Sequence, residues 1–172
     1  IRLLYCYPEE ITDAMIQMFV DEPKLAHYID MPLQHSEDAI LKRMGRHTDK
    51  ASIIEVIHKL RKAVPDIALR TTFIAGFPGE TEEHHQKLLE FIDEIEFDRL
   101  GVFTYSREEG TPAANFPDQV DEELAVRWQK EIMELQQEIS EDKNLSMIGS
   151  VITVVIEGYD PSVDAYVGRS YK

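Results

Sequence analysis

The sequence predicts an α/β fold built on a parallel sheet. Three observations carry this. Short apolar runs rich in β-branched and aromatic residues alternate with longer segments of helical periodicity. Proline or glycine punctuates nearly every junction, as at Pro8, Pro23, Pro32, Gly45, Pro65 and Gly76. Strands joined through helices pair in parallel, with right-handed crossovers.

The elements follow in order. Ile1–Tyr7 reads as a buried strand stopped by Pro8. Pro8-Glu9-Glu10 opens a helix with acids in its first turn, and Ile11, Met15, Met18 and Phe19 form its apolar face. A second strand covers about 26–31. Ser36 is the expected N-cap of a helix striped by Ile40, Leu41 and Met44, with Gly45 at its C-terminal end. Thr48 is the expected cap of the next helix, whose face is Ile53, Ile54, Ile57 and Leu60. A third strand, about 67–75, runs into Gly76-Phe77-Pro78-Gly79. Thr81 then caps a helix carrying Leu88, Leu89, Ile92 and Ile95, and a fourth strand covers about 100–105. An irregular stretch leads to a long helix over about 121–144. Val151–Ile156 is strongly β-branched and breaks the βα rhythm, so it reads as the first strand of a separate small β-domain. The parallel sheet belongs to an open doubly wound fold or to part of a barrel, since four strands cannot close a barrel of about eight.

Composition limits the chemistry. The chain has 172 residues, 18 Lys+Arg against 33 Asp+Glu, a net charge of −15 and one cysteine. A single thiol excludes an internal disulfide framework, and it cannot supply the three or four thiolates of an all-cysteine metal or iron–sulfur site. The acidity argues against nucleic acid as a direct partner and is compatible with a basic one. No run of about 18 apolar residues is present, so no transmembrane helix is predicted. A monomeric cytoplasmic protein without membrane association is expected. Ile1 at the start and an apolar pattern running almost to Lys172 suggest a piece of a longer protein.

Ligands of parallel α/β sheets bind at the carboxyl ends of the strands. Asp30, Gln34 and His35 follow the second strand, Gly76–Glu80 the third, and Phe103, Tyr105, Ser106 and Arg107 end the fourth. Two glycines let backbone approach a ligand, and a capped helix start can receive an anion. The absence of a lysine in this turn disfavours a nucleoside triphosphate. The same glycines also suit an ordinary tight turn. Cys6, alone in an apolar strand, reads as a small core residue. His35 is a candidate acid/base or ligand. Adjacent His84 and His85 point in different directions and read as solvated helix surface. Trp128 reads as core, and the acidic face of the helix over 121–142 as solvated.

These segments also carry a resemblance. Asp30-Met-Pro-Leu-Gln-His35, Ile40-Leu-Lys-Arg-Met44, Arg70-Thr-Thr-Phe-Ile-Ala-Gly-Phe-Pro-Gly-Glu-Thr81, Phe97–Ser106 and Glu109-Gly-Thr-Pro-Ala113 occur in this order and spacing. They resemble the radical S-adenosylmethionine (SAM) methylthiotransferases, most closely the RimO type that modifies a ribosomal protein. The tail from about Asp142, ending in Tyr166–Lys172, looks like the start of the TRAM domain of that family. The resemblance implies the C-terminal part of a (βα)6 partial TIM-type radical SAM barrel over residues 1–141, followed by the start of a small all-β TRAM domain over 142–172. It implies SAM and two [4Fe–4S] clusters in the complete enzyme. The reaction implied is addition of a methylthio group to the β-carbon of an aspartate in basic small-subunit ribosomal protein twelve. Ile74 and Gly76 match the segment that packs on adenine and ribose, Phe103 and Tyr105 the segment flanking adenine, and Asp30 and Gln34 the strand end facing ribose and substrate. Arg70 is the candidate partner of the SAM carboxylate, because a guanidinium suits bidentate pairing. The family's cluster-binding cysteines, spaced C-x3-C-x2-C, have no counterpart here. The chain alone is therefore expected to bind SAM weakly and not to turn over. A tRNA-modifying sister enzyme, a non-catalytic SAM- or partner-binding module and a barrel hydrolase using His35 and Asp30 are the alternative readings.

Overall fold

A computed structural model describes residues 1–172. Its main sheet holds β1 (Tyr28–Gln34), β2 (Ala68–Ala75) and β3 (Arg99–Thr104), all parallel, with β2 in the middle. The helices are α1 (Asp13–Asp21), α2 (Asp38–Arg43), α3 (Lys50–Ala63), α4 (Glu82–Ile95) and α5 (Glu122–Ser146). Short 3-10 turns lie at Pro8–Glu10 and Pro112–Asn115. No helix is long and apolar enough to cross a membrane.

Strand alternation divides the sheet into two faces. Ile29, Met31 and Leu33 of β1 and Leu69 and Phe73 of β2 are buried with Ile53, Ile57 and Leu60 of α3, Leu88, Phe91 and Ile92 of α4, and Trp128 and Ile132 of α5. Phe73, Phe91 and Phe97 meet edge-on or tilted, with ring centroids 5.9–6.4 Å apart. On the opposite face Arg70, Thr72 and Ile74 are only half-buried, so this side of β2 is open. Asp30 lies opposite Arg70, Arg70 opposite Arg99, and Ile74 opposite Phe103.

Ile1–Tyr7 differs from the expectation of a regular strand. It makes one parallel bridge, Leu3 to Ile29. Asp30 N donates to Leu3 O (3.1 Å) and Cys6 N to Asp30 O (2.9 Å). Between them Tyr5 sits at φ 59°, a left-handed conformation that breaks the strand twist. The segment lies alongside β1 without continuing its ladder.

Two caps also shift by one residue. Asp49, not Thr48, caps α3 by accepting from Ser52 N. Glu37, not Ser36, precedes α2, and makes no side-chain cap bond. Thr81 does cap α4, and the His84 ring closes a reciprocal capping box. Gly45 at φ 74° terminates the α2 turn as the pattern predicted.

The long helix α5 runs unbroken past residue 141, the predicted domain boundary, to Ser146. Beyond it β4 (Val155–Asp160) and β5 (Ala165–Arg169) form an antiparallel hairpin with no strand pairing to the main sheet. The strand begins four residues later than Val151. Its apolar side chains lie open, Val155 at 70% and Tyr166 at 74% exposure.

Candidate functional site

The carboxyl ends of β1, β2 and β3 surround a cavity of about 620 Å³. Five of the seven sequence-predicted site residues line it: Gln34, Arg70, Ile74, Phe103 and Tyr105. Ile74 and Phe103 face it from opposed positions of adjacent strands. Phe103 is 65% exposed, an aromatic face with nothing of this chain over it. Tyr105 packs edge-on to Phe77, centroids 5.3 Å apart, and its buried hydroxyl has no hydrogen-bond partner. Gln34 ends β1 at φ 73°, where the β1–β2 register also slips. A non-glycine residue held there costs on the order of 1–3 kcal/mol and is typical of ligand clamps.

The other two predicted residues lie beside the cavity. Asp30 is buried beneath it, its carboxylate 2.9 Å from Arg70 Nη1. Arg70 is therefore already paired within the chain, opposite a second cation, Arg99. Gly76 lines an adjoining pocket of about 440 Å³ with Thr104, Tyr105 and Ser106. Its φ of 80° and the closeness of α5, where an added Cβ would stand 2.4 Å from Ala125 Cβ, both require glycine. At Gly79 the φ of 88° carries the requirement, since the Arg43 guanidinium that an added Cβ would meet at 2.7 Å is the end of a flexible side chain and can shift.

Glu80 and His35 stand at strand ends that the sequence singled out, but the structure gives both an internal role, and Arg46 was not legible at all. Glu80 is buried and turns back under its own loop: Oε2 accepts from Gly76 N (2.6 Å) and Phe77 N (3.1 Å). Its Oε1 lies 3.2 Å from His35 Nε2. His35 is fully buried, and its Nδ1 accepts from Glu37 N at 3.0 Å. Both ring nitrogens are thus used internally, which leaves His35 no lone pair for a substrate or metal. Arg46 also lines the cavity: its guanidinium lies 4.5 Å over the Tyr7 ring and donates to Pro32 O at 2.8 Å. Arg46 comes from the turn after α2, far from any strand end in sequence, so strand-end reasoning passes over it.

The paired histidines divide. His84 serves the α4 cap, whereas His85 is buried, a correction to the solvated reading. Its ring stacks on Trp128 with centroids 5.1 Å apart, and Nε2 lies 2.6 Å from Glu131. The docking of α5 on α4 removes both rings from water. Trp128 is core, as its spacing predicted. Cys6 is partly buried against the core. Burial pushes its thiol pKa up, and the nearby carboxylates of Asp30 and Glu10 act in the same direction, so it is a poor thiolate donor. No group of three or more His, Cys, Asp or Glu side chains is arranged to hold a metal ion. Asp30 and His35 are each committed to other partners and do not form a hydrolytic pair.

The chain is similar to known proteins over nearly its whole length. Residues 3–92 match the model of the radical SAM superfamily. The chain is 52% identical over 171 residues to the ribosomal protein uS12 methylthiotransferase RimO of Lachnoclostridium phytofermentans, covering 99% of this chain and 39% of that protein. It is 50% identical to the protein of the same name from Geobacter sulfurreducens, with 99% and 38% covered. The chain thus spans less than two-fifths of the length of these relatives. Among solved structures it is similar to coproporphyrinogen III oxidase (HemN) from Escherichia coli, a radical SAM enzyme, with a TM-score of 0.66 and 19% identity over 80% of this chain and 32% of that one. The shared parallel α/β fold and a family match spanning more than half of its length place the chain in the radical SAM superfamily.

Proposed function

We propose that this chain supplies the ligand-binding strand ends of a SAM-dependent methylthiotransferase that modifies ribosomal protein uS12 on an aspartate. In this reading residues 1–141 are the later part of a partial (βα)6 barrel, and 142–172 open a TRAM domain. The observation that carries it is identity of about half of all residues, over essentially the whole chain, with proteins named for that activity.

The cavity suits the cofactor. Its volume lies in the usual range for small-molecule sites. Phe103 and Ile74 offer an adenine an apolar wall, and the orphaned Tyr105 hydroxyl and the Gln34 amide offer polar contacts beside it. Arg70, steadied by Asp30, and Arg46, steadied by Pro32 O and Tyr7, bring positive charge for a carboxylate. When bound, SAM supplies the methyl group and the precursor of the hydrogen-abstracting radical. The iron–sulfur clusters do not fit the residues present: one cysteine, with its thiol held protonated, cannot ligate them. Clusters therefore belong to parts of the complete enzyme outside this chain.

Calorimetric titration of SAM into this chain tests the reading. Binding is expected, and Phe103→Ala should weaken it about tenfold through lost base stacking while leaving the fold intact. Reconstitution with iron, sulfide and a reductant should yield no deoxyadenosine. Absence of SAM binding in the folded wild-type chain would overturn the proposal.

A further inference from the structure

We infer that His35 and Glu80 form a positioning pair that sets the Gly76–Gly79 turn and, through Phe77 and Tyr105, one wall of the cavity. The hydrogen-bond pattern determines the protons. His35 Nδ1 accepts from Glu37 N, so the ring proton sits on Nε2 and points to Glu80 Oε1. Glu80 Oε2 is filled by the amides of Gly76 and Phe77. Both carboxylate oxygens therefore face only donors. A carboxylate satisfies this arrangement, whereas a carboxamide puts an N–H against another N–H on one side or the other. The two side chains are buried and touch nothing in the cavity, so they act through the turn they hold. Phe77 is the outlet: its amide is pinned by Glu80, and its ring meets Tyr105 and Phe116 edge-on while lining the cavity. The pair also ties the end of β1 to the loop after β2, so two walls of the site move as one.

The effect on SAM rests on the proposed function; the effect on the turn does not. The test compares His35→Leu, His35→Gln and Glu80→Gln in this chain by amide hydrogen exchange and by SAM calorimetry. In His35→Leu and Glu80→Gln, the Gly76 and Phe77 amides should lose protection by about tenfold or more relative to the Leu88 and Ile92 amides of α4. SAM affinity should fall by a similar factor. His35→Gln keeps a donor toward Glu80 and should restore most of both. If His35→Leu does not fold, Glu80→Gln, which changes one oxygen to an amide nitrogen, decides the matter. Unchanged turn protection in Glu80→Gln overturns the pair. Lost protection with unchanged SAM affinity overturns its link to the site. If wild type binds no SAM, the functional reading falls, and the exchange comparison alone still supports or overturns the pair.

Discussion

Single residues in this chain are tuned by what reaches them from distant segments. Tyr171, near the C-terminus, donates to Asp66 Oδ2 at 2.8 Å, and His27 Nδ1 sits 2.7 Å from the other oxygen. Burial, then the hydrogen bond and charge of Asp66, push the Tyr171 pKa up to about 12. Burial works against ionisation of Asp66, but the hydrogen bonds from Tyr171 and His27 outweigh it and hold its carboxyl below the ordinary value. The Tyr171 contact contributes stability fully below the unfolded tyrosine pKa of about 10 and loses it as pH rises through about 12. Denaturant melts over that window should show a decline in the wild type that is smaller in Tyr171→Phe. Identical slopes in the two proteins would discount the contact. Asp66 acts at the acid end: its share is present above about 3.9 and is lost as pH falls through its depressed value.

At the scale of elements, the main dependence is of the β2–α4 turn on α5. Ala125 leaves no room for a side chain at Gly76. Trp128 Nε1 and Arg127 Nη2 both reach Glu82 at the start of α4, at 3.2 and 2.6 Å, and His85 meets Glu131. Gly76→Ala is expected to cost about 2–5 kcal/mol, from left-handed strain of about 1–2 and overpacking of about 1–3. Adding Ala125→Gly should recover the overpacking share but not the strain. Gly101, with no atom within 4 Å of a built Cβ and no positive φ, is the control: its alanine variant should stay within about 0.5 kcal/mol. Urea denaturation of the four proteins measures this. A Gly76→Ala variant as stable as wild type would remove α5 as the reason for the glycine.

Across the whole molecule, burial is uneven. The α/β body holds the entire hydrophobic core, whereas β4 and β5 pair only with each other and expose their apolar side chains. An isolated hairpin is marginal in water. Amides of 155–169 are therefore expected to exchange at least about a hundredfold faster than those of β2, reflecting local rather than global opening. Native-state exchange read residue by residue checks this, and equal protection in both would show that the hairpin is held by the body.

The alternation of β-branched runs with helical stripes made the parallel α/β body legible, because a buried strand and an amphipathic helix must each carry their own period. The cap at Thr81, the stop at Gly45 and the core position of Trp128 are local in the same sense. Gln34, Phe103 and Tyr105 share one cavity because a parallel sheet gathers its carboxyl ends on one side, and Ile74 and Arg70, which the resemblance singled out, join them from the open face of β2, Arg70 from its amino-terminal half. What only the tertiary structure decided are the relations between segments far apart in sequence. Arg46 reaches the cavity through the turn after α2, and His85 is dry only because α5 covers α4. His35 is a strut because Glu80, 45 residues on, accepts the hydrogen bond its Nε2 donates. The irregular Ile1–Tyr7 segment belongs with these, since its apolar run satisfied the strand pattern but Tyr5 turned left-handed. Periodicity encodes which face of an element is apolar; it does not encode which polar side chain of another element will meet it, and burial and hydrogen bonding are set by that meeting.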